Sequence, residues 1–179
     1  MTGQNFKHNH ANMAGGLKIA ACISLFILSF GAIFPQDISY GTEVETVRLK
    51  DCFSKEFLLP IKNSVTLIYF FSFKNPNHLN ILLELEYLFD NLNIEKTIFN
   101  IVAVSSSDNS SLQSIYKKYR LEFFLIRDEF RLAQRFQTSC ESCLRVILID
   151  KHSRIRYLSS QFDGAFLRQL IQRYAGEGS

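Results

Sequence analysis

Two cysteines separated by two residues, Cys140 and Cys143, are the residues of this sequence whose type and spacing most directly suggest chemistry. Such a pair can close a structural or labile disulfide, exchange disulfides with a substrate, or remain as two independent thiols. The pair precedes a predicted strand instead of starting a helix, so no helix dipole would help to activate it. Positive charge from Arg135 or Arg145 could favour a thiolate in its place.

The other cysteines and the histidines carry weaker signals. Cys52 lies in a loop with apolar flanks and is interpreted as a packed thiol, and Cys22 lies in an apolar segment and is interpreted as inert. His78 is predicted to be an exposed residue of a helix first turn, with a role as proton donor or ligand as the alternative. His152 falls in a predicted turn and should be solvated. The sequence contains no glycine-rich phosphate loop, nucleophile elbow or metalloprotease helix.

The composition of the 179 residues is that of a chain with a globular core. Hydrophobic residues make up 47% and charged residues 21%, which excludes a disordered chain, a disulfide-dense miniprotein and a multi-span membrane protein. The formal net charge of +3 is too small to imply a nucleic-acid partner, and none is predicted. All 17 acidic residues lie in residues 37–179, so residues 1–36 need a separate interpretation.

The acid-free N-terminal part divides into a polar tail and an apolar segment. Residues 1–18 are predicted to be a disordered tail. Residues 19–36 carry no charge and are predicted to be a transmembrane anchor or a signal segment, in preference to a buried core helix. Lys7 and Lys18 precede the segment and Asp37 follows it. The positive-inside rule therefore predicts that residues 37–179 lie outside the cytoplasm, in the periplasm if the source is bacterial, with the membrane as a partner.

The remainder of the chain alternates between buried-strand and amphipathic-helix patterns. Strands are predicted at residues 44–50, 64–73, 97–104, 123–126, 145–150 and 155–160, with residues 51–60 a loop or a further short strand. Helices are predicted at residues 76–93, 112–119, 129–136 and 166–174. Asn75 as N-cap and Pro76 at the first helical position give the first helix a strong start signal. This order predicts an α/β fold with a mixed sheet and helices on both faces.

Three segments resemble the thioredoxin-like superfamily, and within it the membrane-anchored TlpA-type and alkyl hydroperoxide reductase redoxins. LIYFFSFKNPNHLNILLELEYL (67–88) is similar to their strand, active-site loop and helix. FLIRDEFRLAQRF (124–136) is similar to their strand, aspartate and short helix, and LRVILIDKHSRIRY (144–157) to their last hairpin. The resemblance covers roughly residues 43–175. It implies a thioredoxin-like mixed central sheet flanked by helices, here preceded by one N-terminal hydrophobic helix.

The resemblance also implies where the site should be, and there the sequence departs from the family. The positions of the family's Cys-x-x-Cys read Asn75, Pro76, Asn77 and His78, so neither dithiol exchange nor one-cysteine peroxidase chemistry can occur at them. The family's cis-proline position falls on Leu144, where a non-proline residue disfavours a cis bond by about 2.5–4 kcal/mol. These five residues are interpreted as a binding surface.

If the resemblance holds, Cys143 lies just before the former cis-proline and faces the helix start. Cys140 and Cys143 are then the predicted catalytic pair, displaced to the opposite side of the site and acting on protein thiols or disulfides without a cofactor. Three alternatives stay open. The pair could be a bridge without a catalytic role, the domain could be a non-catalytic docking module, or Cys140, Cys143 and His78 could bind Cu(I) or Zn²⁺.

Overall fold

The computed structural model describes residues 38–92, 94–95, 97–129, 131–137 and 145–176. The elements in chain order are β1 (Val47–Lys50), β2 (Glu56–Leu59), β3 (Val65–Phe70), α1 (Pro76–Asn91), β4 (Phe99–Ser105), α2 (Asn109–Tyr119), β5 (Phe124–Arg127), α3 (Leu132–Arg135), β6 (Arg145–Ile149), β7 (Ile155–Ser159) and α4 (Gly164–Gly176). The predicted α/β class and mixed sheet are confirmed. The predicted N-terminal hydrophobic helix lies outside the described residues.

A five-stranded sheet in the order β5-β4-β3-β6-β7 forms the centre of the domain. Strands β3, β4 and β5 are parallel, whereas β6 runs antiparallel to β3 and β7 antiparallel to β6. Every residue of β3 is buried, as its continuous apolar run predicts for a strand covered on both faces. Helices α1 and α2 supply the crossovers that the parallel neighbours require.

Two apolar clusters cover the two faces of this sheet. Helices α1 and α4 bury Leu82, Leu85 and Leu167 in the cluster on one face. On the other face, Leu49 of β1, Leu59 of β2 and Leu132 of α3 pack against Ile68 and its neighbours. The sheet is therefore held between two hydrophobic layers, and the loop that joins β3 to α1 emerges at one edge of this sandwich.

The first predicted helix begins where the sequence indicated, and the other three do not; α4 begins at Gly164, two residues earlier than predicted. Asn75 is the N-cap of α1 and Pro76 its first residue. Helix α2 begins at Asn109, three residues earlier than predicted, because the side chain of Asp108 accepts from Ser111 N–H and caps it there. Helix α3 (Leu132–Arg135) begins three residues later than predicted, because the Asp128 carboxylate accepts from Leu132 N–H and Ala133 N–H.

The edge of the sheet beyond β7 is partly covered by the segment before β1. Gly41 N–H donates to Ile155 O at 2.7 Å and Val44 N–H donates to Ser153 O at 2.7 Å. The predicted strand at residues 44–50 is therefore divided: its beginning lies beside the start of β7, and its end forms β1. Strand β1 pairs antiparallel with β2, so the second short strand left open for residues 51–60 exists.

Candidate functional site

The last residue of the loop between β3 and α1, together with the first turn of α1, stands at the family's Cys-x-x-Cys positions. Asn75 Oδ1 accepts from Asn77 N–H at 3.0 Å, which satisfies one of the free amides of the first turn of α1. The side chains of Pro76 and Asn77 are exposed, and that of Asn75 is half-buried. Four of the five predicted binding residues, Asn75 to His78, thus lie at the N-terminus of α1, and none of the four carries a thiol.

His78 is buried, which corrects the prediction that it is exposed at the mouth of the site. Its side chain is 3% exposed, and its Nδ1 accepts a hydrogen bond from Ser72 N–H at 3.0 Å. The spacing of His78, Leu82, Leu85 and Phe89 contains the signal that the sequence interpretation missed. These residues follow one helix face, and that face is the buried one.

The hydrogen bond from Ser72 determines the chemical form of the His78 side chain. A nitrogen that accepts an N–H carries no proton, so the imidazole is neutral and its proton is on Nε2. Burial lowers the pKa of His78 because the surroundings disfavour the charged ring. The ring is therefore held as the neutral form at neutral pH, with Nε2–H as the group that remains able to donate.

Further contacts tie the loop to strand β3. The Tyr69 hydroxyl donates to the carbonyl oxygen of His78 at 3.1 Å, and its ring meets the imidazole edge-on. Burial raises the pKa of Tyr69 far above its ordinary value, so it stays a donor. Ser72 Oγ accepts from Lys74 N–H at 3.2 Å. The loop is thus fixed by polar contacts along its length, and Ser72 is a site residue that the sequence did not indicate.

The predicted catalytic residues Cys140 and Cys143, and Leu144 with them, lie outside the described residues. The structure does describe the strand that follows them. Arg145, the first residue of β6, pairs with Phe70, the last residue of β3. The chain therefore enters β6 at the same edge of the sheet at which β3 leads into the loop before α1.

The two arginines expected to favour a thiolate are both engaged with other groups. Arg135 forms an ion pair with Glu45, with 3.0 Å between Nη2 and Oε2. Arg145 Nη1 donates to Phe136 O at 2.9 Å and to Gln137 O at 2.6 Å. Arg145 thus connects the end of α3 to the start of β6 by hydrogen bonds, and its side chain has a structural role.

Cys52 is a packed thiol, as predicted. It is free and 2% exposed, and burial together with the charge of Asp51 raises its pKa to about 11. Its backbone N–H donates to Leu125 O at 2.8 Å, and its carbonyl oxygen accepts from the Gln113 side chain. A buried thiol of this pKa is almost entirely protonated at neutral pH, so it is a poor nucleophile.

The aspartate at the end of β6 stabilises the turn that follows. Asp150 is 4% exposed; its Oδ1 accepts from the backbone N–H groups of His152 and Arg154, and its Oδ2 from Arg156 Nε at 2.6 Å. These bonds hold the pKa of Asp150 below its ordinary value despite burial. His152 is exposed in this turn, as predicted.

In the part of the chain that the structure describes, no group of three or more His, Cys, Asp or Glu side chains could hold a metal ion. A metal at His78 would need Nε2, since Nδ1 accepts from Ser72. Across the same residues, no helix combines the length and the apolar character needed to cross a membrane. The predicted segment 19–36 lies outside them.

Solved structures with the same fold support the resemblance. A peroxiredoxin-like protein from Aquifex aeolicus superposes with a TM-score of 0.67 at 10% identity, covering 78% of this chain and 89% of that one. A putative thioredoxin from Neisseria meningitidis gives a TM-score of 0.65 at 22% identity, covering 79% and 93% of the two chains. A thioredoxin-family thiol:disulfide interchange protein from Chlorobium tepidum gives 0.63 at 12% identity, covering 78% and 99%.

No protein-family model and no curated protein matches the sequence. At these low identities, the solved structures establish the fold. The domain has the thioredoxin-like fold that the three sequence segments implied, with peroxiredoxin-like and thiol–disulfide oxidoreductase structures as its neighbours.

Proposed function

We propose that this chain is an anchored or exported thiol–disulfide oxidoreductase whose redox pair is Cys140 and Cys143. In this proposal the pair is supplied by the segment before β6, and α1 supplies no thiol. The thioredoxin-like fold supports a function in thiol–disulfide chemistry, because structures with that fold include thiol–disulfide interchange proteins.

Other residues stand at the family's two cysteine positions at the start of α1, so the thiols must come from elsewhere in the chain. Asn75 and His78 stand where the resemblance expects the two cysteines, and neither side chain can form a disulfide. Cys52 is buried and its raised pKa leaves it protonated. Cys140 and Cys143 are therefore the pair in this domain whose spacing allows reversible disulfide formation.

The pairing of Phe70 with Arg145 is the observation that carries the proposal. Cys143 is two residues from Arg145, so chain length limits the separation of their Cα atoms to about 7 Å. Phe70 is equally close in sequence to Ser72, which is hydrogen-bonded to His78. A redox pair before β6 would thus share the sheet edge with the surface formed by Asn75, Pro76 and Asn77.

The proposed reaction is ordinary thiol–disulfide exchange. One thiolate of the pair attacks a sulfur of a substrate disulfide, forms a mixed disulfide and expels the other substrate sulfur as a thiolate. The second cysteine then attacks the mixed disulfide. The substrate is released with both of its own cysteines reduced, and Cys140 and Cys143 remain joined as a disulfide. Two electrons have then passed from the pair to the substrate.

The proposed location follows from residues 19–36. A charge-free segment of this length preceded by lysines fits an anchor or a signal segment that carries residues 37–179 out of the cytoplasm. Disulfides persist in such oxidising compartments, which suits a substrate that is a protein thiol or disulfide.

A non-catalytic docking module is the second function that a specific observation supports. Asn75 and His78 stand at the positions of the family's dithiol, and the side chains of both form hydrogen bonds within the chain. The start of α1 is therefore a polar turn without thiols. A thioredoxin-like surface of this kind could bind a partner without exchanging disulfides.

The test is insulin reduction by the full chain in detergent, with dithiothreitol as reductant. The proposal expects turnover above the dithiothreitol background, and expects its loss in Cys140→Ser and Cys143→Ser variants. Cys52→Ala is the matched control and should keep the activity of the wild type. A wild type without turnover would overturn the oxidoreductase proposal and favour the docking module.

A further inference from the structure

We propose that His78 is a proton-operated switch that controls the order of the loop between β3 and α1. In the neutral state the imidazole anchors this loop, and uptake of one proton releases it. The proposal concerns described residues alone and does not depend on the redox activity of Cys140 and Cys143.

A chain of hydrogen bonds makes the imidazole the anchor of the loop. Ser72 N–H donates to His78 Nδ1 at 3.0 Å. Asn75 N–H donates to Ser72 O at 3.2 Å, and His78 N–H donates to Asn75 O at 3.1 Å. Ser72 is itself buried, so its amide has no ready replacement in water if Nδ1 is lost as acceptor.

Protonation removes this acceptor. An imidazolium carries N–H groups at both ring nitrogens, so the proton on Nδ1 would face the Ser72 N–H, donor against donor. The charged ring would also be in the first turn of α1, where the helix dipole is positive. The protonated ring therefore cannot stay in its present place, and either the ring or the loop must move.

The titratable and charged groups around the ring lie on β3, on the loop and on α1. Tyr69 is the titratable side chain that faces His78 from β3, and it donates to the carbonyl oxygen of His78. Lys74 is the charged residue of the loop, and Glu84 of α1 lies close enough to help raise the pKa of the Tyr69 phenol. Burial is what lowers the pKa of His78, so water entry on loop opening would favour protonation further.

Amide hydrogen exchange on the full chain tests the switch. We expect the protection factor of the Ser72 amide, corrected for the intrinsic pH dependence of exchange, to fall about tenfold between roughly pH 7.5 and 5. In His78→Asn, whose side-chain oxygen can accept from Ser72 but does not titrate, protection should not change with pH. His152→Asn removes an exposed histidine and should behave as the wild type.

A second measurement keeps the test independent of the stability of that variant. The ring nitrogens of His78 in wild-type protein should show the Nε2–H form at neutral pH by ¹⁵N chemical shift. Their titration midpoint should coincide with the loss of Ser72 protection. A protection factor that does not depend on pH, an Nδ1–H form at neutral pH, or the same pH dependence in His78→Asn would overturn the proposal.

Discussion

The backbone amide of Ser72 and the imidazole Nδ1 of His78 form a buried hydrogen bond at the start of α1. In thioredoxin-like proteins, according to the resemblance, the position of His78 belongs to the second cysteine of the redox motif. In this chain the position is occupied by a histidine whose side chain holds the loop between β3 and α1 in place. Its substitution should therefore affect stability, and any redox chemistry must use thiols elsewhere in the chain.

Removal of the His78 acceptor should destabilise the domain. His78→Leu fills the buried space but leaves the Ser72 amide without a partner, so the free energy of unfolding should fall by about 1–3 kcal/mol. His78→Asn retains an acceptor at the position of Nδ1 and should lose less. Urea denaturation followed by circular dichroism measures both, and equal stability of the two variants would contradict this function of Nδ1.

Stability should decrease on acidification. Because the folded state lowers the pKa of His78, the unfolded chain binds more protons below the ordinary histidine value of about 6.5. Stability from the neutral ring is therefore present above that pH and is lost as the pH falls through and below it. Between about pH 7.5 and 5, the Tm of the wild type should fall more than the Tm of His78→Asn, whose side chain does not titrate. His152→Asn, the exposed control, should follow the wild type.

The start of α1 retains features that suit a redox motif and lacks the thiols. We expect a double variant, Asn75→Cys with His78→Cys, to form a disulfide on oxidation and to reduce insulin. The reason is that the first thiolate would lie at the positive end of α1, which lowers a thiol pKa. The double variant should be made in a Cys140→Ser, Cys143→Ser background.

The matched control for that experiment is the corresponding pair of changes to serine, which alters the same positions without introducing thiols. It should remain inactive. Failure of the two introduced cysteines to bridge would show that the turn does not have the geometry of the family site.

Cys52 should resist alkylation in the folded protein. Its pKa of about 11, against an ordinary 9.0, reduces the thiolate fraction about a hundredfold, and its burial blocks access as well. Iodoacetamide labelling followed by mass spectrometry should therefore find Cys52 modified at least about a hundredfold faster after unfolding in urea. If Cys52 of the native protein were labelled as fast as that of the unfolded chain, the loop between β1 and β2 would have to open readily.

The parts of the fold that could be predicted are those fixed by local signals. The apolar runs at residues 64–73 and 97–104 predicted β3 and β4, because a strand buried on both faces needs apolar residues throughout. Asn75 and Pro76 predicted the start of α1 because capping is a local hydrogen-bonding requirement. The start of α2 was missed because several polar residues before it could serve as caps, and only the structure selects Asp108.

The parts that could not be predicted depend on tertiary contacts. His78 was expected to be exposed because it falls in the first turn of the helix at the mouth of the site, yet its place on the apolar face of α1 buries it beside Tyr69. The bond from Ser72 involves a backbone amide and so has no sequence signature. The division of residues 44–50 follows from pairing of Val44 with Ser153, a contact distant in sequence.

The reduction potential of the Cys140–Cys143 pair, measured in the full chain, distinguishes a working redox pair from a structural bridge. It can be measured by equilibration with glutathione or dithiothreitol buffers and mass spectrometry of the alkylated thiols, with Cys52→Ala to simplify the count. A working pair should have a potential above about −300 mV, together with insulin turnover that disappears in Cys143→Ser. A potential below about −300 mV without turnover would identify a structural bridge and contradict the proposed redox function.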